Sequence, residues 1–386
     1  MNRVRTSQLL FQGLKLLLMI IFIFRQNDLE AFAQESKKVF NCEFSYTGDF
    51  MSNVNGGIET GEFYLGMITL QLSLNTEDNK LWRGGEFNIL GASTHGDEPS
   101  ANNIGDFQIA SNIEAGTHTY LQEAWYRHSF NKVRIKLGLQ DLNSEFAVTE
   151  NAQNLTNSSF GIPSTLANNI PAPIFPLTSL GVAICWDVTP EILLQASLHD
   201  GEPTDFRENP YNTRWNITED EGFISIGEIQ INKSLINNQM GSFKFGAYGQ
   251  NRCNLKPGNP SPNYGFYTTI DQNLSPFNKN GNLGLFIQLG LSPKSLNIHN
   301  KYFGMGFTAS GVFPKRINDV FSIGAAHAGF QDASVNHETV IECNYLFQLT
   351  DQLSLQPDFQ YIINPAGTEE PLDNAFVTLL RLNLTY

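Results

Sequence analysis

The sequence predicts an all-β fold: a transmembrane antiparallel β-barrel of about 16 strands with one connection folded inward as a constriction loop. Three observations lead to this prediction. From Tyr64 onward, segments of about ten residues alternate between apolar and polar side chains, and turns rich in Gly, Asn, Pro or Asp separate them. No stretch after the N-terminus is apolar for the roughly eighteen residues that a membrane helix needs. The N-terminus itself has the pattern of an export signal.

Residues 1–33 have the features of a secretory signal peptide. Arg3 and Arg5 precede an apolar run over residues 16–24, and residues 31–33 (Ala-Phe-Ala) offer the small side chains of a cleavage site. The mature chain is therefore expected to begin at Gln34. The alternative is an uncleaved anchor helix, which the shortness of the run and the charges directly after it disfavour.

Sixteen alternating segments follow in the remaining chain. They start near Phe63, Gly84, Gly105, Thr117, Asn131, Leu180, Glu191, Gly222, Gly241, Tyr264, Asn282, Tyr302, Asp319, His337, Gln352 and Ala375. Residues 34–60 are too few for a plug domain and are assigned to an N-terminal periplasmic strap, which leaves 61–386 as the barrel. Long outer and short inner connections should alternate. Most do, but the connection after the second segment is longer than an inner turn should be.

The last segment, residues 377–386, shows how the alternation is used. Three leucines share a face with Tyr386, whereas Arg381 and Asn383 lie on the opposite face. A soluble sandwich strand has the same pattern. The number of segments, the export signal and the terminal aromatic favour a barrel, because a bilayer tolerates a sheet only when its edges are closed. We expect this strand to pair with the first one and Arg381 to reach into a water-filled lumen.

Composition excludes several classes of function. The formal net charge of −14 becomes about −16 without the signal peptide, so nucleic acid is not an expected partner. The four cysteines lack zinc-ligand spacing and are expected to be free, and no metal or cofactor is predicted. The histidines are scattered and no serine lies in a G-x-S-x-G elbow, so no catalytic residue is predicted. An outer-membrane hydrolase stays open as an alternative, because spatial neighbours are not visible in a sequence.

Six phrases of the chain are informative together. They are YTGDFMSNVNGGIETGEFYLG (46–66), THG (94–96), EAWY (123–126), LGLQDLNSEFA (137–147), TIDQ (269–272) and IECNYLFQLTDQLSLQPDFQYIINP (341–365). In this order they resemble the carbohydrate-selective porin family, OprB, over essentially the whole mature chain. The resemblance implies a barrel of sixteen strands in the outer membrane of a Gram-negative bacterium. It implies passive diffusion of small, glucose-like carbohydrates into the periplasm.

Two residues depart from the family pattern. Gln288 stands where an arginine is expected in relatives, which bears on the charge of the pore lining, and Tyr386 stands where phenylalanine is usual. The terminal tyrosine nevertheless resembles the aromatic end by which outer-membrane barrels are recognised for insertion. The expected partners are therefore small carbohydrates, outer-membrane lipid with lipopolysaccharide, and the barrel-assembly machinery. The chain is expected to act as a monomer or a homotrimer.

The connection 142–179 is the predicted constriction loop. It is rich in asparagine, including Asn154 and Asn157, and its charged side chains are Glu145 and Glu150. Amides both donate and accept hydrogen bonds, which suits a neutral solute covered with hydroxyls. The alternative is an outward, solvated loop of ordinary composition.

The candidate pore-lining residues of the wall are polar or aromatic side chains on the inward face of predicted strands. They are Glu123, Trp125, Arg127, Arg134, Lys136, Gln288, Glu338, Glu342, Asp358, Gln360 and Arg381. Facing basic and acidic rows would set a field across the pore, or the charges could simply pair with one another. Most barrel tryptophans form interfacial girdles. Trp125 is the candidate for stacking on sugar rings, because it lies on the same strand face as Glu123 and Arg127. A general porin without sugar preference is the alternative function.

Overall fold

The computed structural model describes residues 40–215, 217, 220–236, 238–253, 261–274, 281–331 and 333–386. The predicted signal peptide, residues 1–33, lies outside these ranges. So does the beginning of the predicted strap, residues 34–39. Within the described residues, no helix is long and apolar enough to cross a membrane.

Sixteen antiparallel strands form one closed barrel, in which each strand pairs with its neighbours in sequence and the last pairs with the first. The strands are β1 Asn41–Asn55, β2 Gly61–Asn75, β3 Gly85–Gly96, β4 His118–Phe130, β5 Val133–Gln140, β6 Ser179–Asp187, β7 Ile192–Asp200, β8 Phe223–Ile236, β9 Gln239–Cys253, β10 Ser261–Leu274, β11 Asn282–Leu291, β12 His299–Ser310, β13 Val320–Phe330, β14 His337–Gln348, β15 Leu353–Ile363 and β16 Ala375–Thr385. The predicted fold class is confirmed.

Two segments were assigned wrongly, and the errors cancel in the strand count. Residues 41–55, placed in the predicted strap, form β1, so the barrel begins at Asn41 rather than at residue 61. The segment predicted near Gly105 belongs instead to a long connection, 97–117, between β3 and β4. Its apolar residues Ile104, Ala110 and Ile113 pack inside the barrel, and apolar residues spaced through a polar segment were taken for a strand. The connection that seemed too long for an inner turn is therefore an outer one.

Side chains alternate between the two faces of the wall as predicted. In β16, Phe376 and Leu380 are 36% and 39% exposed on the outer face, whereas Val377 and Leu379 are buried inside. A lipid-facing surface and an inner surface thus share one strand.

β16 closes the barrel against β1, with Arg381 directly opposite Asp49. Two nitrogens of the Arg381 guanidinium each lie 2.7 Å from an oxygen of the Asp49 carboxylate. Arg381 also donates to the side chain of Asn112 at 2.8 Å. Arg381 points inward as expected, but its side chain is only 10% exposed, so it does not stand in open water. The connection 97–117 covers it.

Two outer connections fold into the barrel. We call residues 141–178 the constriction loop and residues 97–117 the second inward loop. The constriction loop contains two short helices, α1 Ser158–Gly161 and α2 Ser164–Asn169, and 3₁₀ turns at Leu142–Ser144 and Glu150–Ala152. The second inward loop begins with a π-helical turn, Ser100–Ile104. The predicted inward course of the constriction loop is confirmed.

Each inward loop packs an apolar face against inward-facing residues of the wall. Ile104 and Ile113 of the second inward loop lie in one cluster with Val340 and Ile362. The constriction loop forms two clusters: its Phe160 packs with Phe286 and Tyr302, and its Leu166 with Tyr248 and Tyr267. Burial of these side chains favours the folded-in arrangement.

A third outer connection, residues 201–222, completes the wall where a strand is short. β5 ends at Gln140, so the outer part of β4 has no β5 residue opposite it. There, the Leu121 amide donates to the Tyr211 carbonyl at 3.0 Å, and the Asn212 side chain donates to the Leu121 carbonyl at 3.1 Å. The connection satisfies backbone groups that would otherwise lie at an open edge.

The ion pair between Arg381 and Asp49 is expected to contribute to the stability of the barrel. Arg381→Met leaves Asp49 as a buried carboxylate without its cation, a loss that typically costs about 3–5 kcal/mol. The temperature at which the barrel loses its compact, fast-migrating form in an SDS gel should therefore fall. The double variant D49N/R381M removes the uncompensated charge and should recover most of the loss. Equal losses in both variants would contradict this account.

Candidate functional site

Acidic side chains of the wall hold the backbone of the second inward loop. Glu338 accepts hydrogen bonds from the amides of Phe107 at 2.7 Å and Gln108 at 2.9 Å, one on each carboxylate oxygen. It also accepts from the Ala366 amide at 2.8 Å. A carboxylate that receives successive amides fixes the position of that backbone, because charge-assisted hydrogen bonds are strong and directional.

The constriction loop is held in the same way. Glu342 accepts from the amides of Thr156 at 2.5 Å and Asn157 at 3.0 Å. Asp271 accepts from the amides of Glu150 and Asn151 at 3.0 and 2.9 Å. Glu338 and Glu342 are fully buried beneath the loops that they hold. The expected acidic row facing an open pore is therefore not formed.

Amide side chains of the wall complete the attachment. Gln288 donates to the Thr149 hydroxyl at 2.9 Å and to the Phe160 carbonyl at 2.8 Å. Gln360 donates to the Ala110 carbonyl at 2.8 Å and so joins the second inward loop to β15. Gln288, Gln360 and Asp358 are each at most 1% exposed. These predicted pore-lining residues therefore face inward, but they lie beneath the loops.

Both predicted asparagines of the constriction loop lie in these contacts. The Asn154 carbonyl accepts from Asn344 at 2.7 Å and from Gln356 at 2.6 Å. The Asn157 side chain donates to Gln360 at 3.3 Å and accepts from the Ser159 amide at 3.1 Å. The buried Asn157 therefore positions the loop through its side-chain amide, and the half-buried Asn154 does so through its backbone carbonyl.

The attachments leave one side of the lumen uncovered. From Ala147 to Asn169, hydrogen bonds of the constriction loop reach the wall between β8 and β15, for example Glu228 of β8 and Gln356 of β15. The second inward loop occupies the side of β14 to β1. Inward-facing side chains on β3 to β6 keep solvent exposure: Glu86, Arg127 and Arg134 are each 32% exposed, and Asp187 is 44%. These four residues lie toward the inner ends of their strands, so this side of the lumen is open to solvent at the inner mouth, whereas Glu123 and Lys136 farther in are buried. We call this side of the lumen the passage.

Five predicted residues meet beside the passage. We call Glu123, Trp125, Arg127, Lys136 and Glu145 the constriction cluster. Lys136 Nζ lies 2.9 Å from Glu145 of the constriction loop, and Arg127 lies 4.0 Å from the same carboxylate. The Arg127 and Lys136 cations lie 5.3 and 5.2 Å from the centroid of the Trp125 ring. The Trp125 indole N–H donates to Glu123 at 2.9 Å, which fixes the ring.

Charges along the passage are paired with neighbours on the same wall. Arg127 binds Glu86, which lies directly opposite it on β3, and Arg134 binds Asp187 of β6. Glu123 accepts from the Asp141 amide at 3.1 Å, where the constriction loop begins. The alternative in which the charges pair with one another thus describes these contacts.

Other tryptophans lie away from the passage. Trp82 and Trp186 are 46% and 47% exposed at the inner ends of β3 and β6, and Trp215 lies in connection 201–222. Tyr386 is 47% exposed at the end of β16. Its backbone exchanges two hydrogen bonds of 2.9 Å with Phe44 of β1.

Sequence reasoning missed several residues that shape the site. Asp141 accepts from the amides of Asn143 and Phe175, and burial raises its pKa to about 6. In the second inward loop, burial raises the pKa of Asp106 to about 6 and that of Glu114 to about 8. Acidic residues at inward parity in apolar strands, such as Asp271 in TIDQ, were a usable signal. Asp106 and Glu114 gave no such signal, because the segment near Gly105 was predicted to be a strand.

The described residues offer little for metal or thiol chemistry. No group of three or more His, Cys, Asp or Glu side chains in the described part of the chain is placed to hold a metal ion. All four cysteines are free thiols.

Comparisons with known proteins agree with this architecture. A family model described as "Carbohydrate-selective porin, OprB family" matches residues 60–386. Porin B of Pseudomonas aeruginosa is 19% identical over 91% of this chain and 88% of its own length. The putative porin QuiX of Acinetobacter baylyi is 21% identical over 69% of each chain.

Solved structures show the same fold. The high-pH structure of Pseudomonas putida OprB superposes with a TM-score of 0.82 at 19% identity and covers 93% of this chain and 97% of its own. The low-pH structure of the same protein gives a TM-score of 0.63 at 16% identity, with 94% and 98% covered. Fold and family are those of an outer-membrane channel of Gram-negative bacteria. The chain belongs to the OprB family of carbohydrate-selective porins.

Proposed function

We propose that this porin lets small, neutral, glucose-like carbohydrates diffuse passively along β3 to β6, past the constriction cluster. The observation that carries the proposal is the grouping of Trp125 with Arg127 and Lys136, two directly opposed residues of β4 and β5 that both lie near its ring, and with Glu145 of the constriction loop. An aromatic ring offers an apolar surface to the C–H face of a pyranose. The paired charges around it offer donors and acceptors to hydroxyls.

Pairing of the charges favours neutral solutes. Each cation of the passage has a carboxylate within 4.0 Å. The negative charge of that carboxylate cancels much of the positive potential that a passing solute would meet. A neutral sugar can exchange hydrogen bonds with such groups without separating bare charges. An ion that passes the same groups loses part of its hydration shell, and paired charges stabilise it less than an unpaired opposite charge would.

Two finer points of the proposal concern assembly. The terminal tyrosine, hydrogen-bonded to β1 through its backbone and exposed at its side chain, is suited to recognition by the barrel-assembly machinery. The barrel is closed within one chain, so each monomer has its own passage whether the protein acts alone or as a homotrimer.

The function is tested by solute flux. Proteoliposomes should swell faster in glucose than protein-free liposomes, and faster in glucose than in the anion gluconate at equal osmolarity, because the passage favours neutral solutes. In Lys136→Ala, loss of the Lys136–Glu145 contact should widen the passage and raise the disaccharide-to-glucose rate ratio by about twofold or more.

Lys132→Ala is the matched control for this change. It removes an exposed basic side chain from the inner turn before the same strand, outside the constriction cluster. Its ratio should stay near that of the wild type. Absence of glucose-dependent swelling in the wild type would contradict the function, and equal rates for glucose and gluconate would favour a general porin.

Loop anchoring makes a second prediction. Glu342→Ala leaves the amides of Thr156 and Asn157 without their acceptor, at about 1–3 kcal/mol for each buried group. The constriction loop should loosen, so single-channel conductance should become larger and noisier. Glu342→Gln keeps one acceptor oxygen and should lie between this variant and the wild type. Glu191→Ala, in an inner turn, is the control, and a quiet wild-type trace in Glu342→Ala would count against the anchor.

The assembly point has its own test. Deletion of Tyr386 removes the terminal ring and the backbone contacts to Phe44, so the amount of folded protein in the outer membrane should fall. The molecules that do insert should retain wild-type conductance, because the residue lies far from the constriction cluster. Tyr386→Phe should restore the yield. Normal yield with altered conductance would contradict the assigned role.

A further inference from the structure

A cavity separate from the constriction cluster lies at the outer mouth of the barrel. It encloses about 450 Å³, a size within the usual range of small-molecule sites. Its lining residues come from outer ends of strands and outer connections, including residues 261–263, 295–299, 330 and 333–335. Phe107 of the second inward loop and residues 168–169 of the constriction loop complete it. We call this cavity the vestibule pocket.

Three rings form one wall of the vestibule pocket. Phe107 and Phe330 meet edge to face with centroids 4.9 Å apart. His299 packs against both, at 5.0 Å from Phe107 and 5.3 Å from Phe330. His299 is buried and its two nitrogens contact Ser164 and the Gly329 carbonyl, so the group is fixed in place. The two half-buried phenylalanines present apolar surface to the cavity.

Amide side chains form another part of the lining. Asn263 and Asn297 exchange hydrogen bonds of 2.8 and 3.0 Å, and Asn263 also donates to the Asn169 carbonyl at 2.6 Å. This network holds the outer ends of β10 and β12 against α2. Asn168, next in line, is exposed at the cavity. The buried Asn263 and Asn297 use their donors within this network, so Asn168 is the amide that can donate to and accept from a ligand. Rigid rings beside an exposed amide are chemistry that suits a pyranose.

The lining is also uncharged in a strongly acidic protein. None of the described lining residues is Asp, Glu, Lys or Arg, although the chain carries a formal charge of −14. A site for a phosphate, a carboxylate or a metal ion would need charged side chains in its lining. Neutrality together with rings and amides points to an uncharged polyhydroxylated ligand.

The constriction loop forms part of the vestibule pocket through α2. Ser164, at the start of this helix, contacts His299 at 2.9 Å, and Asn169, at its end, donates to the His299 carbonyl at 2.9 Å. We propose that the vestibule pocket is an outer docking subsite that binds one free neutral pyranose above the constriction. The inference rests on the proposed function, because it supplies that passage with a site where a sugar is held first.

Single-channel recording in bilayers free of lipopolysaccharide tests the subsite, with maltose as the probe added to one side at a time. Maltose on the outer side should interrupt the current of the wild type. In Phe330→Ala, loss of the ring should shorten these interruptions by about fivefold, since aromatic packing contributes roughly 0.5–1.5 kcal/mol. Conductance without sugar should not change. Phe330→Tyr, which keeps the ring, should behave as the wild type.

Phe313→Ala is the matched control, because it removes an exposed ring, 56% exposed, from an inner turn. It should leave the interruptions unchanged. Unchanged interruptions in Phe330→Ala, with normal glucose swelling, would overturn the subsite and leave the proposed function intact. Absence of swelling in the wild type would instead remove the function itself. Loss of maltose binding when lipopolysaccharide is added to the outer leaflet would assign the pocket to core sugars of that lipid and overturn the free-sugar assignment.

Discussion

Capture of successive backbone amides by single carboxylates of the wall is the interaction on which the inner structure depends. A loop inside a barrel has no strand ladder to satisfy its N–H groups, and buried donors without acceptors are costly. Glu338, Glu342 and Asp271 each receive two consecutive amides of an inward loop. The strong acceptor also makes burial of the carboxylate tolerable. The course of both loops follows from these contacts, and so do the side on which the passage opens and the floor of the vestibule pocket.

Alternation of side chains was sufficient to predict the barrel and the inward direction of Arg381, because lipid and lumen impose a period of two on every strand. The strand count was right only because a missed strand and a false one cancelled. Alternation was not sufficient to find β1. The lipid-facing positions of β1 include Gly48 and Ser52, so its period is weak, and the partner of Arg381 stayed hidden with it. The second inward loop failed for the opposite reason. Ile104, Ala110 and Ile113 are apolar because they pack on the inner wall, and apolar residues in a sequence do not show which surface they contact.

The sequence was sufficient to predict which residues belong to the candidate site, but not which role each of them has. Trp125, Arg127, Lys136 and Glu145 share a region because β4 and β5 are neighbours and the constriction loop starts beside them, which sequence order already implies. Glu342 and Gln288 lie more than a hundred residues from their loop partners. Polarity at an inward position cannot distinguish a group that meets solute from one that holds a loop, since both avoid lipid equally well.

Connection 201–222 has a consequence for how the outer surface of this protein can vary. Here Tyr211 and Asn212 occupy the place of missing strand residues beside Leu121. An antibody epitope or a peptide for surface display inserted before Tyr211 would displace these two residues. The backbone groups of Leu121 would then be left unpaired at the outer part of β4. Phage or immune pressure on the outer surface should therefore leave this stretch constant in length.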